Sequence, residues 1–113
     1  MVAQYLDLTD ELAANGYAQF ETSNYDYAVV QIIGNGGDIF FNATLDSGAV
    51  QGVTDGSIYT SDNYLTVGAI KLADNTYITT TSADGLFRFN VVARYIRLSG
   101  TADKLLVMLT KIS

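Results

Sequence analysis

A chain of 113 residues has the size of one ordinary domain and can bury enough surface to fold without staples. It contains no His, Cys or Trp, which removes Ser-His-Asp and Cys-His catalysis, the usual zinc sites and any disulfide framework. Its charge of −6 repels phosphate backbones, so no nucleic-acid partner is expected.

Residues 1–16 open the chain. Met1 to Asp7 show no basic n-region and no long apolar core, so the expected place of synthesis is a host cytoplasm without export. Asp10 to Asn15 predict one or two helical turns, with Thr9 or Asp10 as N-cap and Gly16 as stop. A helix this short is marginal alone, so residues 1–16 are read as an arm that packs on the domain or a neighbour and orders on assembly. Residues 17–113 are read as the β-domain.

The remainder reads as short strands with frequent turns, the pattern of an all-β antiparallel sandwich. Tyr27–Ile33 is apolar on both faces. Asp38–Leu45 alternates, with Ile39, Phe41, Ala43 and Leu45 on one face and Asp38, Phe40, Asn42 and Thr44 on the other. Phe40 therefore sits on the wet face, where something should cover it. Val50–Val53 and Ser57–Thr60 are weaker strands. Tyr64–Leu72 and Thr76–Thr80 predict a hairpin across Ala73-Asp74-Asn75. Leu86–Val91 alternates again, with Phe87, Phe89 and Val91 inward. Arg94–Leu98 is another strand, and Leu105–Leu109 is apolar on both faces. Strands of that kind are covered on both sides, or one side meets a partner.

Gly34-Asn35-Gly36-Gly37 lacks the following helix and the Lys of a phosphate loop, and reads as a hairpin turn. Asp55-Gly56-Ser57 and Ser61-Asp62-Asn63 offer oxygens but not the calcium-loop signature, and read as solvated turns. No metal or cofactor is expected. The twelve Asp and Glu are scattered through turns, so no carboxylate pair for glycoside hydrolysis stands out, and the expectation is a protein that is not an enzyme. No apolar run approaches the roughly 20 residues that span a membrane, so no membrane partner is expected.

Charge is uneven along the chain. Residues 1–70 carry nine acids and no base, whereas residues 71–113 carry six bases and three acids. Interleaved strands average this out; an acidic and a basic face would instead favour heterologous docking. Eight tyrosines, among them Tyr25, Tyr27, Tyr59, Tyr64, Tyr77 and Tyr95, suit strands, interfaces or a sugar platform.

Tyr25 to Ile33, Ile39 to Gly48, Gly85 to Val91 and Arg94 to Leu98, in that order, resemble a jelly-roll-like β-sandwich of tailed-bacteriophage structural proteins. That domain occurs in head decoration or cement proteins, head fibres and tail-associated proteins. The usual Trp after the turn that follows Leu45 is absent here. The resemblance covers about residues 20–112. It implies a virion protein on the outer capsid surface, a homo-oligomer with a trimer favoured, and the major capsid protein as partner. Tyr25, Tyr27, Phe40 and Tyr95 would then supply apolar interface contacts, and Arg88, Arg94 and Arg97 the polar ones, since Arg pairs with carboxylates in bidentate fashion. Ala93 to Leu98 also looks like the late strand of discoidin-like carbohydrate-binding modules, which commonly place Trp or His in their binding loops. The alternative it implies is a sugar-binding or fibre-associated module for host-surface recognition.

Overall fold

The computed structural model describes residues 2–45, 64–90 and 93–112. In chain order they form β1 (Val2–Asp7), α1 (Thr9–Asn15), β2 (Tyr17–Glu21), β3 (Tyr27–Asn35), β4 (Ile39–Thr44), β5 (Leu65–Thr66) and β6 (Ala69–Lys71). Then follow β7 (Thr76–Ile78), β8 (Thr80–Thr81), β9 (Gly85–Phe89), β10 (Tyr95–Ser99) and β11 (Ala102–Lys111). The expected strands at Val50–Val53 and Ser57–Thr60, Tyr59, the two oxygen-rich turns and Val91 lie outside the described residues.

Two antiparallel sheets face each other. One has the order β1-β11-β3-β9-β6-β7; the other has β2-β10-β4-β5, with β8 also on β4. The expected all-β sandwich is therefore the observed class. The period-two pattern explains the core. Ile39, Phe41 and Ala43 of β4 and Phe87 and Phe89 of β9 all turn inward and are buried. Ala28, Val30 and Ile32 of β3 join them, with Leu105, Val107 and Leu109 of β11 and Ile96 and Leu98 of β10. Leu45 breaks the pattern: it follows the last residue of β4 and is exposed.

Residues 2–16, expected as an arm packing on the domain or on a neighbour, pack on the domain and add a strand to one of its sheets. β1 pairs with β11 from Val2↔Lys111 to Asp7↔Leu106. Leu12 of α1 is buried in the core cluster. The helix ends where expected, at Gly16, whose φ of 76° is the left-handed stop that glycine adopts at little cost. Its start differs. Leu8 occupies the cap position, and Asp7 accepts the Thr9 N–H at 3.0 Å. Thr9 instead uses its hydroxyl to accept the Leu105 N–H at 3.2 Å, which ties the helix to β11.

β2 was not among the expected strands, although its signal is legible. Ala18 and Phe20 are buried between partly exposed Tyr17 and Gln19 and exposed Glu21. The Gly34–Gly37 segment is a corner rather than the expected hairpin, because β3 and β4 belong to opposite sheets. Asp84 holds this corner by accepting the N–H groups of Gly34 at 2.9 Å and Asn35 at 2.7 Å. The expected hairpin around residues 73–75 is present between β6 and β7, with Asn75 at φ 60°. Its flanks, β5 and β8, cross to the other sheet and pair with β4.

Candidate functional site

The outward faces of the two sheets differ in chemistry. On the six-stranded sheet the register lines up one complete row across all strands: Tyr5, Met108, Val29, Arg88, Ile70 and Tyr77. A second row runs Asp7, Leu106, Gln31 and Leu86, and Leu72 continues it by donating its N–H to the Leu86 carbonyl. Nine of these eleven side chains are uncharged, the exceptions being Asp7 and Arg88, and Tyr5 (75% exposed), Tyr77 (70%) and Leu86 (44%) stand well out of the surface. Tyr5, Val29, Gln31, Leu86, Leu106 and Met108 line an open groove of about 540 Å³ on this face. This is the second face of the strands that read as apolar on both sides.

Arg88 lies at the centre of the first row. Its Nε is buried without a hydrogen-bond partner, and among the described residues it has no ion-pair partner. The stem is flanked by Val29 and Ile70 in the register, so the charged head stands in an apolar surround. Such a group favours an incoming carboxylate, which would satisfy guanidinium donors that apolar neighbours cannot.

The outward face of the five-stranded sheet is more polar, and its Arg97, like Arg88, has a buried Nε without a hydrogen-bond partner. Arg97 stacks between two rings, 4.5 Å from the Tyr17 centroid and 3.9 Å from that of Tyr64. Its Nη2 donates to Gln19 Oε1 at 3.0 Å, and the Tyr64 hydroxyl donates to the same oxygen at 3.1 Å. Burial pushes the Tyr64 phenol up, while the Arg97 charge and hydrogen bond pull against that rise. Glu11 accepts the Gln19 N–H at 2.7 Å, and burial pushes its carboxyl above the usual range despite that bond.

The seven expected interface residues do not converge. Tyr27 and Arg88 lie on the apolar face. Phe40 (53% exposed) and Arg97 lie on the opposite face, flanking Ser99 and Asn42 in the register. Tyr25 precedes β3, and its hydroxyl bonds Gln4 Oε1. Arg94 precedes β10 and is exposed, with its guanidinium 5.7 Å from the Tyr95 ring centroid. Tyr95 is a correction: at 3% exposure it is buried within its own chain and has no surface to offer a partner. The bases are likewise divided, Arg88 on one sheet and Arg97 on the other, so interleaved strands break up the charge asymmetry of the sequence.

Sequence reasoning missed Tyr5, Ile70, Leu72, Leu86, Leu106 and Met108 as one surface. The available signal was the apolar outer face of Leu105–Leu109. The tyrosines form no shared platform among the described residues: Tyr17 and Tyr64 clasp Arg97, and Tyr5 and Tyr77 stand five strand spacings apart, roughly 24 Å. Among the described residues no group of three or more acids is placed to hold a metal ion, and no helix is long and apolar enough to cross a membrane.

The architecture defines an antiparallel β-sandwich with one apolar and one polar outer face. In fold it is similar to the SPBc2 prophage-derived protein YomS, with a TM-score of 0.66 over 96% of this chain and 95% of that one, at 14% sequence identity. No family model matches the chain, and no curated protein matches it in sequence.

Proposed function

We propose that this chain is a structural protein of a bacteriophage particle, and that it decorates the outer surface of the head by docking on the major capsid protein. The observation that carries this reading is the outward face of the six-stranded sheet, with its two largely apolar rows and, within the first of them, Arg88, which has no ion-pair partner among the described residues. Large contiguous apolar surface on a folded domain marks a place where another protein sits. The likeness in fold to a prophage-derived protein supports the phage setting. The function is mechanical, with no catalytic step and no cofactor. The docked partner presents an apolar surface carrying one carboxylate for Arg88. Copies joined as an oligomer bind several capsid subunits at once, so each contact can be weak while the assembly holds.

The test uses purified protein and heads from a phage whose copy of this gene is deleted. Co-sedimentation should saturate at a fixed number of copies per head, with labelled protein on the outer surface in electron micrographs. Binding to tails alone, or to host saccharides with none to heads, would overturn the capsid assignment in favour of host recognition.

A further inference from the structure

We propose that a second copy of this chain pairs with β1, edge to edge and antiparallel, about a two-fold axis at Tyr5. This goes beyond the capsid reading and does not depend on what the apolar face docks against. β1 is an outer strand of its sheet, six residues long, whereas β7 at the other edge has three. Folded proteins blunt such edges with Lys, Pro, bulges or short length. Val2-Ala3-Gln4-Tyr5-Leu6-Asp7 has no Lys, no Pro and an unbroken register with β11.

The hydrogen-bond phase of β1 follows from its neighbour. Leu8 donates its N–H to the Leu105 carbonyl, which fixes the even-numbered residues as those bonded to β11. Ala3, Tyr5 and Asp7 then aim their N–H and C=O groups away from the sheet. A register centred on Tyr5 sets Tyr5 opposite the second copy's Tyr5, and Ala3 opposite its Asp7. All three residues then exchange both bonds. It also keeps the two Asp7 carboxylates from facing each other, a pairing that would be destabilising. The two-fold runs perpendicular to the sheet, so the apolar rows of both copies lie on one side, with Tyr5 of each at the seam. Such an interface is isologous and closed, giving a dimer rather than the trimer that the phage resemblance implies.

The absence of cysteine allows a clean test. Opposed residues in a hydrogen-bonded antiparallel pair have Cα atoms about 5.5 Å apart, within the range of roughly 4.4–6.8 Å for a disulfide. Tyr5→Cys should therefore form a covalent dimer under mild oxidation, about tenfold or more faster than Tyr77→Cys, which is comparably exposed at the far edge. The unmodified protein should scatter light as twice the 12.2 kDa chain mass. Tyr5→Lys sets two like charges face to face and should return the single-chain mass, with an unchanged circular dichroism spectrum and more dimer as salt is raised. Equal cross-linking of the two cysteine variants, a single-chain or three-chain mass for the unmodified protein, or an undiminished dimer in folded Tyr5→Lys would each overturn the proposal.

Discussion

Phe41 of β4 meets Phe89 of β9 edge to face across the sandwich, ring centroids 5.1 Å apart and planes at 73°. Phe87 also meets Phe41, tilted at 58° with centroids 5.8 Å apart, so one ring of the five-stranded sheet engages two of the six-stranded sheet. This is the geometry in which the positive edge of one ring meets the negative face of another. Phe41→Ala removes that bridge and leaves a cavity where all three rings are fully buried. The expected cost is about 3–5 kcal/mol, read from the midpoint of denaturant unfolding.

Arg97 joins β10 to Tyr17 and Tyr64 by stacking as well as charge. Arg97→Ala should cost about 1–2 kcal/mol, since two rings and the Gln19 bond lose their partner. Arg97→Lys keeps the charge but not the flat guanidinium, so it should recover only part of that loss. Full recovery by Lys in thermal unfolding would reduce the site to simple electrostatics.

Asp84 is a pH-dependent clamp on the corner between the sheets. The N–H groups of Asn35 and Gly34 hold its carboxyl below the usual carboxylate range. A lowered folded-state pKa means the stabilisation is fully present above the unfolded value of about 3.9 and is lost as pH falls through the lower folded value. Asp84→Ala should therefore melt at a lower temperature than the parent at pH 7, with the gap closing as the pH drops below that range. A gap that stays constant with pH would show that the carboxylate charge contributes nothing.

Gly100 adopts a φ of 152°, and a Cβ there would meet the Asp38 carbonyl oxygen and Ile39 Cγ1 at 2.8 Å. The first obstacle is backbone, which cannot swing aside. Gly100→Ala should destabilise by about 1–3 kcal/mol from the backbone conformation, before any clash is counted.

Docking should separate the two faces. Leu86→Asp alters an exposed outward position and Arg88→Met keeps the half-buried apolar stem while removing the charge, so both should leave melting nearly unchanged. Each should weaken binding to heads by roughly 10–100-fold, at about 1.4 kcal/mol per tenfold. Phe40→Asp lies on the opposite face and should bind as the parent does. If Phe40→Asp abolishes binding while Leu86→Asp does not, the docking surface is the five-stranded sheet.

Much of this architecture is readable along the chain, because a strand's side chains alternate with period two. Ile39, Phe41 and Ala43, or Phe87 and Phe89, announce an inward face from local order alone, and the turn at Asp74-Asn75 announces a reversal. The missing His, Cys and Trp are equally visible and narrow the chemistry before any fold is known. β1 is not visible in this way. Gln4 falls on its inward parity and Tyr5 on its outward one, so its place in the sheet depends on pairing with β11, about a hundred residues further on. Nor does alternation say which outward residues become neighbours. Tyr5, Met108, Val29, Arg88, Ile70 and Tyr77 come from six strands, and their shared row is set by long-range register. Tyr95 shows the same limit from the other side: its strand and parity are legible, but its burial is not. Local order tells a side chain which way to point; the company it keeps there is a property of strands brought together by folding.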